Sequence, residues 1–159
     1  MVVVAASPVA ATTPEQAVLW EALAGALGSA VGWFGGFLVG RTLATALGFE
    51  SQPVAKDLVT LSCVVITVTG GATLGVIGAG SWLGIDGNAL ACVGGALIGM
   101  PVGMVVEPLL GQLLSASLPQ GSELFQVLGP VVEGIGFACM VVLPAIGATV
   151  GFNIGARER

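Results

Sequence analysis

The sequence predicts an all-α integral membrane bundle of about four transmembrane helices packed through small-xxx-small (glycine-zipper) ladders. Three observations lead there. The 159-residue chain has a mean hydropathy of +1.03 and only 8% charged residues, against roughly a quarter in a soluble domain, so it lacks the polar surface to face water on every side. Its apolar residues form four long continuous stretches. Within them small residues recur at every fourth position, most clearly at Ala24, Gly28, Gly32, Gly36, Gly40, Ala44 and Gly48. That spacing lets helix backbones approach where no side chains intervene, which matters most in lipid. A β-barrel would show alternating segments of ~10 residues and aromatic girdles, whereas here the runs are unbroken and tyrosine is absent.

The chain divides into a polar lead-in over 1–16, a single membrane domain over 17–156 and a polar tail over 157–159. Spans are expected near 17–47, 58–83, 89–114 and 122–154. The first helix has a strong start signal: Thr13 as N-cap, Pro14 at N1, Glu15 in the first turn and Gln16 completing a capping box. Its run exceeds the ~20 residues needed to span, and Glu50-Ser51-Gln52-Pro53 ends it. The second segment opens with the β-branched LVTLSCVVITVT, which in isolation suggests a strand. Its length and its Gly71, Gly75, Ala79 ladder favour a helix, and Ile85-Asp86-Gly87-Asn88 then forms a turn. The third carries Ala91, Gly95, Gly99, Gly103, Glu107 and Gly111 at four-residue spacing, with Pro101 and Pro108 predicting a kink or a break. The fourth begins after Pro119-Gln120-Gly121 with Ser122 as N-cap, runs through Pro130 and Pro144, and ends in the ladder Gly147, Gly151, Gly155.

Gly71-Ala72-Thr73-Leu74-Gly75 resembles Gly147-Ala148-Thr149-Val150-Gly151, while a different offset superimposes the ladder of segment one on that of segment three. Because the two offsets disagree, a two-hairpin repeat is not the expectation. A four-residue step advances ~400° round a helix, so each ladder drifts by ~40° per rung. One neighbour is therefore not expected to cover all of it.

Composition excludes several function classes. Arg41, Lys56, Arg157 and Arg159 are the only cations, so there is no basic patch for nucleic acid. Without histidine the chain lacks the commonest general base and metal ligand. No nucleotide motif or catalytic triad is present, and no reaction, cofactor or metal site is expected. Cys63, Cys92 and Cys139 lie far apart inside apolar segments and read as small buried residues. The positive-inside rule gives a tie, with Arg157 and Arg159 on one side and Arg41 and Lys56 on the other.

Intramembrane ionisable residues are the best site candidates, because each is expensive without a partner. Glu21 lies two turns after the Thr13 cap and is expected near the interface. Arg41, Glu107 and Glu133 lie at depths of roughly 10, 12 and 16 Å from one face, at 1.5 Å per residue. They are expected to form a polar cluster inside the bundle, either as static glue between helices or as an ion pathway. The residues expected at helix contacts are Ala24, Gly28, Gly32, Gly36, Gly40, Gly71, Gly75, Gly95, Gly99, Gly103, Gly147 and Gly151.

In length, Gly-ladder helices and a carboxylate in the last helix after a loop proline, the chain resembles the four-helix proteolipid of V-type rotary ATPases; the matching positions are Pro119 and Glu133. The resemblance covers the last third and implies a proteolipid-like ion pathway. Pro130 and Pro144 interrupt the helix, Arg41 and Glu107 are extra charges, and segment two offers only Gln52-Pro53 as a polar-loop match. Family membership is not inferred. The expected function is that of a tightly packed structural or assembly subunit, in a homo-oligomer or a larger membrane complex. The alternative is an oligomeric pore, channel or ion pathway using buried carboxylates. The expected partners are the lipid bilayer and either further copies or a larger complex.

Overall fold

The computed structural model describes residues 13–119 and 121–154 and the backbone of 157–158; most of the lead-in lies outside the described residues. The fold is all-helical apart from one two-residue ribbon. Helices α1 (Pro14–Ala46), α2 (Pro53–Trp82), α3 (Ala89–Ser117) and α4 (Glu123–Asn153) are each long and apolar enough to cross a membrane. Strand β1 (Ile85–Asp86) pairs antiparallel with β2 (Arg157–Glu158) and ties the α2–α3 turn to the chain end. Many large apolar side chains face outward, among them Leu27, Val31, Ile66, Leu74, Leu90 and Ile98, each at least 70% exposed. A surface of that kind suits lipid and not water, consistent with a multi-pass membrane protein.

Helix starts follow local chemistry. The Thr13 hydroxyl accepts from the Gln16 N–H at 3.4 Å while the Gln16 side chain accepts from the Thr13 N–H at 3.2 Å, satisfying two otherwise orphaned donors. Asn88 caps α3 through the Ala91 N–H and Ser122 caps α4 through the Phe125 N–H. Helix α1 starts at Pro14, where the capping box places it, whereas α2 starts at Pro53, ahead of the expected span, because a proline at the first helical position has no N–H to lose. The prolines inside α3 and α4 do not break them; both helices are continuous through Pro101, Pro108, Pro130 and Pro144.

The chain folds as two helical hairpins, α1–α2 and α3–α4, and along each seam the backbones lie against one another. A methyl group added at Gly28 would overlap the Gly71 carbonyl, and one at Gly95 the Gly147 carbonyl. The first seam matches Ala24 to Gly75, Gly28 to Gly71, Gly32 to Thr67, Gly36 to Cys63 and Val64, and Gly40 to Thr60. The second matches Ala91 to Gly151, Gly95 to Gly147, Gly99 to Leu143, Gly103 to Cys139 and Met140, and Glu107 to Gly136. Thr67 adds a polar tie, its Oγ1 lying 2.6 Å from Gly32 O and 2.7 Å from Cys63 O of its own helix, so that one proton is shared.

These registers are equivalent. Adding 67 to an α1 number gives its α3 counterpart, and adding 76 to an α2 number gives its α4 counterpart. The two offsets that disagreed in sequence are thus both in use. They differ by nine residues because the α3–α4 hairpin is longer at its turn. The equivalence extends to burial: Val68, Thr69, Ala72, Thr73 and Val76 of α2 are buried, as are their counterparts Pro144, Ala145, Ala148, Thr149 and Phe152 of α4. Of the seven rungs of the α1 ladder, α2 backs the five from Ala24 to Gly40; the last, Gly48, lies past the end of the helix, where an added Cβ would meet nothing within 4 Å.

A second stripe of α1, Ala17, Glu21, Gly25 and Ser29, is buried as well. It faces the space between α2 and α4: a Cβ on Gly25 would sit 2.8 Å from Val76 Cγ2 and 3.2 Å from Ala145 Cβ. Between the hairpins one core cluster joins Ala72, Val76, Cys92, Ala96, Ala148 and Phe152, and a second joins Val64, Val68 and Met100. Beyond these clusters the packing stops unevenly. Burial on α1 continues to Ala44 and on α2 starts at Thr60, but α3 has no buried residue after Gly103 and α4 none before Gly136. The turn half of α3–α4 therefore projects as an uncovered arm.

Candidate functional site

At the end of the bundle where α1 and α3 begin, the four helices enclose the side chain of Glu21. It is fully buried. One carboxylate oxygen accepts a 2.6 Å hydrogen bond from the Asn153 amide of α4, and the same Nδ2 donates to Thr149 O at 2.9 Å. The other oxygen, Oε1, has no hydrogen-bond partner, and neither has the buried Thr149 hydroxyl. Oε1 points at the α2 backbone, where a Cβ on Gly80 would lie 3.2 Å from it. The Phe152 ring covers both Gly80 and Gly87, with ring atoms 2.5 Å from a Cβ built at Gly87. Glycine at these two positions makes room for the aromatic lid. The backbone of the turn is held to the same helix by the Asn88 N–H donating to Phe152 O at 2.8 Å.

Sequence reasoning missed this site. Counting residues from the helix start placed Glu21 near water. The better signal was its register: Ala17, Glu21, Gly25 and Ser29 form a stripe of period four beside the main ladder, and a stripe so poor in bulk is a contact face. Asn153, four residues after Thr149 on α4, carried the matching hint. The pair also breaks the equivalence of the hairpins, since the counterparts of Glu21 and Asn153 are Asn88 and Ile77.

The residues expected to cluster lie toward the opposite end. Arg41 is exposed, with its guanidinium 5.2 Å from the centre of the Phe37 ring of its own helix. Gly40 faces α2, so Arg41, one residue on, is turned ~100° away from the seam. Glu107 is half-buried; its stem packs on Gly136, 2.7 Å from a Cβ built there. Glu133 is exposed on the uncovered arm, and its counterpart in the first hairpin is Asp57. Among the described residues no ion pair joins Arg41 to either acid. Inside this end, Trp33 packs edge-on against Phe137 with centroids 5.2 Å apart and stacks on Phe37 at 5.7 Å. Beside these rings a groove of about 530 Å³ is lined by Phe37, Asp57, Thr60, Met100, Met104 and Met140.

The three cysteines are free thiols. Cys63 and Cys139 are counterparts at the fourth rung of each seam, and Cys92 is buried in the core. Among the described residues no group of three or more His, Cys, Asp or Glu is placed to hold a metal. Comparison with protein-family models, with curated proteins and with solved structures returns no match.

Proposed function

We propose that this chain is a structural subunit of a membrane assembly that associates with further copies of itself through the uncovered α3–α4 arm. In this reading the two seams act as glycine zippers and make each hairpin a stiff unit. Their ladders are spent inside the chain, so association falls to other surfaces. The carrying observation is the arm itself: Glu133 stands exposed on a hairpin end with no buried residue and Glu107 half-buried at its root, while Arg41 stands exposed near the same level of the bundle. An unpaired charge at membrane depth is expensive. A neighbouring copy that sets its Arg41 against Glu133 removes that cost for both, and the apolar groove beside Phe37 gives the incoming arm a surface to pack on.

Native mass spectrometry of the chain extracted from membranes without added partners tests this reading. A discrete homo-oligomer that Arg41→Glu reduces to monomer is the expected result. A wild-type monomer at all concentrations, or capture only within a larger complex, counts against self-assembly.

The second reading, an oligomeric ion pathway, draws on Glu107, whose stem lies in the helix seam. The core clusters fill the space between the hairpins, so a pathway of this kind would run between copies. Liposomes carrying the protein would then leak ions, and Glu107→Gln with Glu133→Gln would abolish the leak; an assembly subunit leaves permeability unchanged.

A further inference from the structure

The self-assembly reading makes no use of Glu21, and the groups around it point to a ligand. The carboxyl lies seven residues into α1, roughly 10 Å from the helix start, and it is completely enclosed. Two oxygens need partners and one has a partner. The charged side chains of the neighbouring helices are elsewhere: Lys56 and Asp57 of α2, Glu107 of α3, and Glu123 and Glu133 of α4 all lie in the opposite halves of those helices. Of the titratable groups at this end, the Cys92 thiol of α3 is buried in the same core cluster as Phe152, and Asp86 stands in the α2–α3 turn with an interaction of its own. Oε1 faces the bare backbone of Gly80, and on α4, one turn before Asn153, the Thr149 hydroxyl is likewise buried without a partner. A buried carboxylate in such a setting calls for a compensating positive charge.

We propose that Glu21, with Asn153 and Thr149, forms a binding site for one monovalent cation, either a proton or an alkali metal ion. The roles divide by atom. Oε1 of Glu21 takes the cation. Oε2 is held by the Asn153 amide, which fixes the carboxyl plane and is itself anchored on Thr149 O. The Thr149 hydroxyl, orphaned one turn before Asn153, would be the α4 oxygen left to complete the shell of the bound cation. Phe152 closes the enclosure toward the Ile85–Gly87 turn, so exchange requires that ring to swing off Gly80 and Gly87.

The test uses the full-length chain in detergent micelles and compares wild type with Glu21→Gln, which keeps an oxygen for Asn153 and removes the charge. Thermal unfolding is followed in NaCl, KCl and choline chloride at equal ionic strength, and the carboxyl stretching band is recorded by infrared spectroscopy across the pH range of the folded protein. A saturable rise in Tm with Na⁺ or K⁺ but not choline, lost in Glu21→Gln, assigns a metal ion. A protonated-carboxyl band that is absent from Glu21→Gln and indifferent to the alkali salt assigns a proton. A wild type with neither response overturns the proposal. If Glu21→Gln does not fold, Asn153→Ser serves in its place, since it keeps the acid and removes the amide: the salt response must weaken several-fold or the band must shift, and no change in either contradicts the site. Oligomeric state is not read in any arm, so failure here leaves the assembly reading standing.

Discussion

Gly70 and Gly71 are neighbours on α2 with opposite surroundings, and they give the sharpest test of the seam. In Gly71→Ala the new methyl falls 2.6 Å from the Gly28 carbonyl carbon and closer to its oxygen, where the obstacle is backbone and not a movable side chain. The helices must part by ~1 Å, and a gap of that size forfeits a quarter to a half of the dispersion attraction at adjoining contacts. Overpacking a closely fitted site typically costs about 1–3 kcal/mol. In Gly70→Ala the methyl meets nothing within 4 Å, and stiffening the unfolded chain gains about 0.4–1 kcal/mol. The two variants should therefore differ by about 1.5–4 kcal/mol in unfolding free energy, measured by reversible denaturant titration in micelles with circular dichroism. Gly147→Ala should match Gly71→Ala, and Gly94→Ala, in open space on α3, should match Gly70→Ala. Equal stability of Gly70→Ala and Gly71→Ala would refute close backbone contact at this seam.

Three further outcomes follow from single contacts. Thr67→Val keeps the shape of the side chain and removes its bond to Gly32 O; the loss should be about 0.6 kcal/mol, the average for such bonds between membrane helices, and a loss above ~2 kcal/mol would mean that packing was disturbed as well. Gly87→Ala drives a methyl into the Phe152 ring and should cost about 1–3 kcal/mol, most of it recovered when Phe152→Ala is added; additive losses in that double-mutant cycle would deny the contact. Asn153→Leu strips Glu21 of its one donor and should destabilise the fold by about 1–3 kcal/mol, checked by the midpoint of thermal unfolding, with an unchanged midpoint excluding a structural role for the amide.

Much of the fold was legible in the sequence because membrane helices announce themselves by length and continuity. The Thr13–Gln16 capping box and the Ser122 cap are local devices and were readable from a few residues each. The hairpin equivalence was visible only in fragments, since two different offsets look like chance until the structure shows each offset serving one helix of the pair. Glu21 was only half legible, for a different reason. Depth along a helix can be counted from its cap, but whether a side chain faces lipid, water or protein depends on which neighbours arrive, and the Ala17–Ser29 stripe acquires meaning only when α4 lies against it. Arg41 shows the converse: its depth suggested a place in the interior, and the rotation set by Gly40 turned it out.

If copies associate by pairing Arg41 of one with Glu133 of the next, exchanging the two charges is the most direct test. Arg41→Glu and Glu133→Arg are each compared with the double exchange by native mass spectrometry at equal protein-to-detergent ratio. The expected result is a wild-type oligomer, monomer for either single variant, and the oligomer restored in the double variant. Oligomers that survive both single exchanges, or a double variant that stays monomeric, would contradict it.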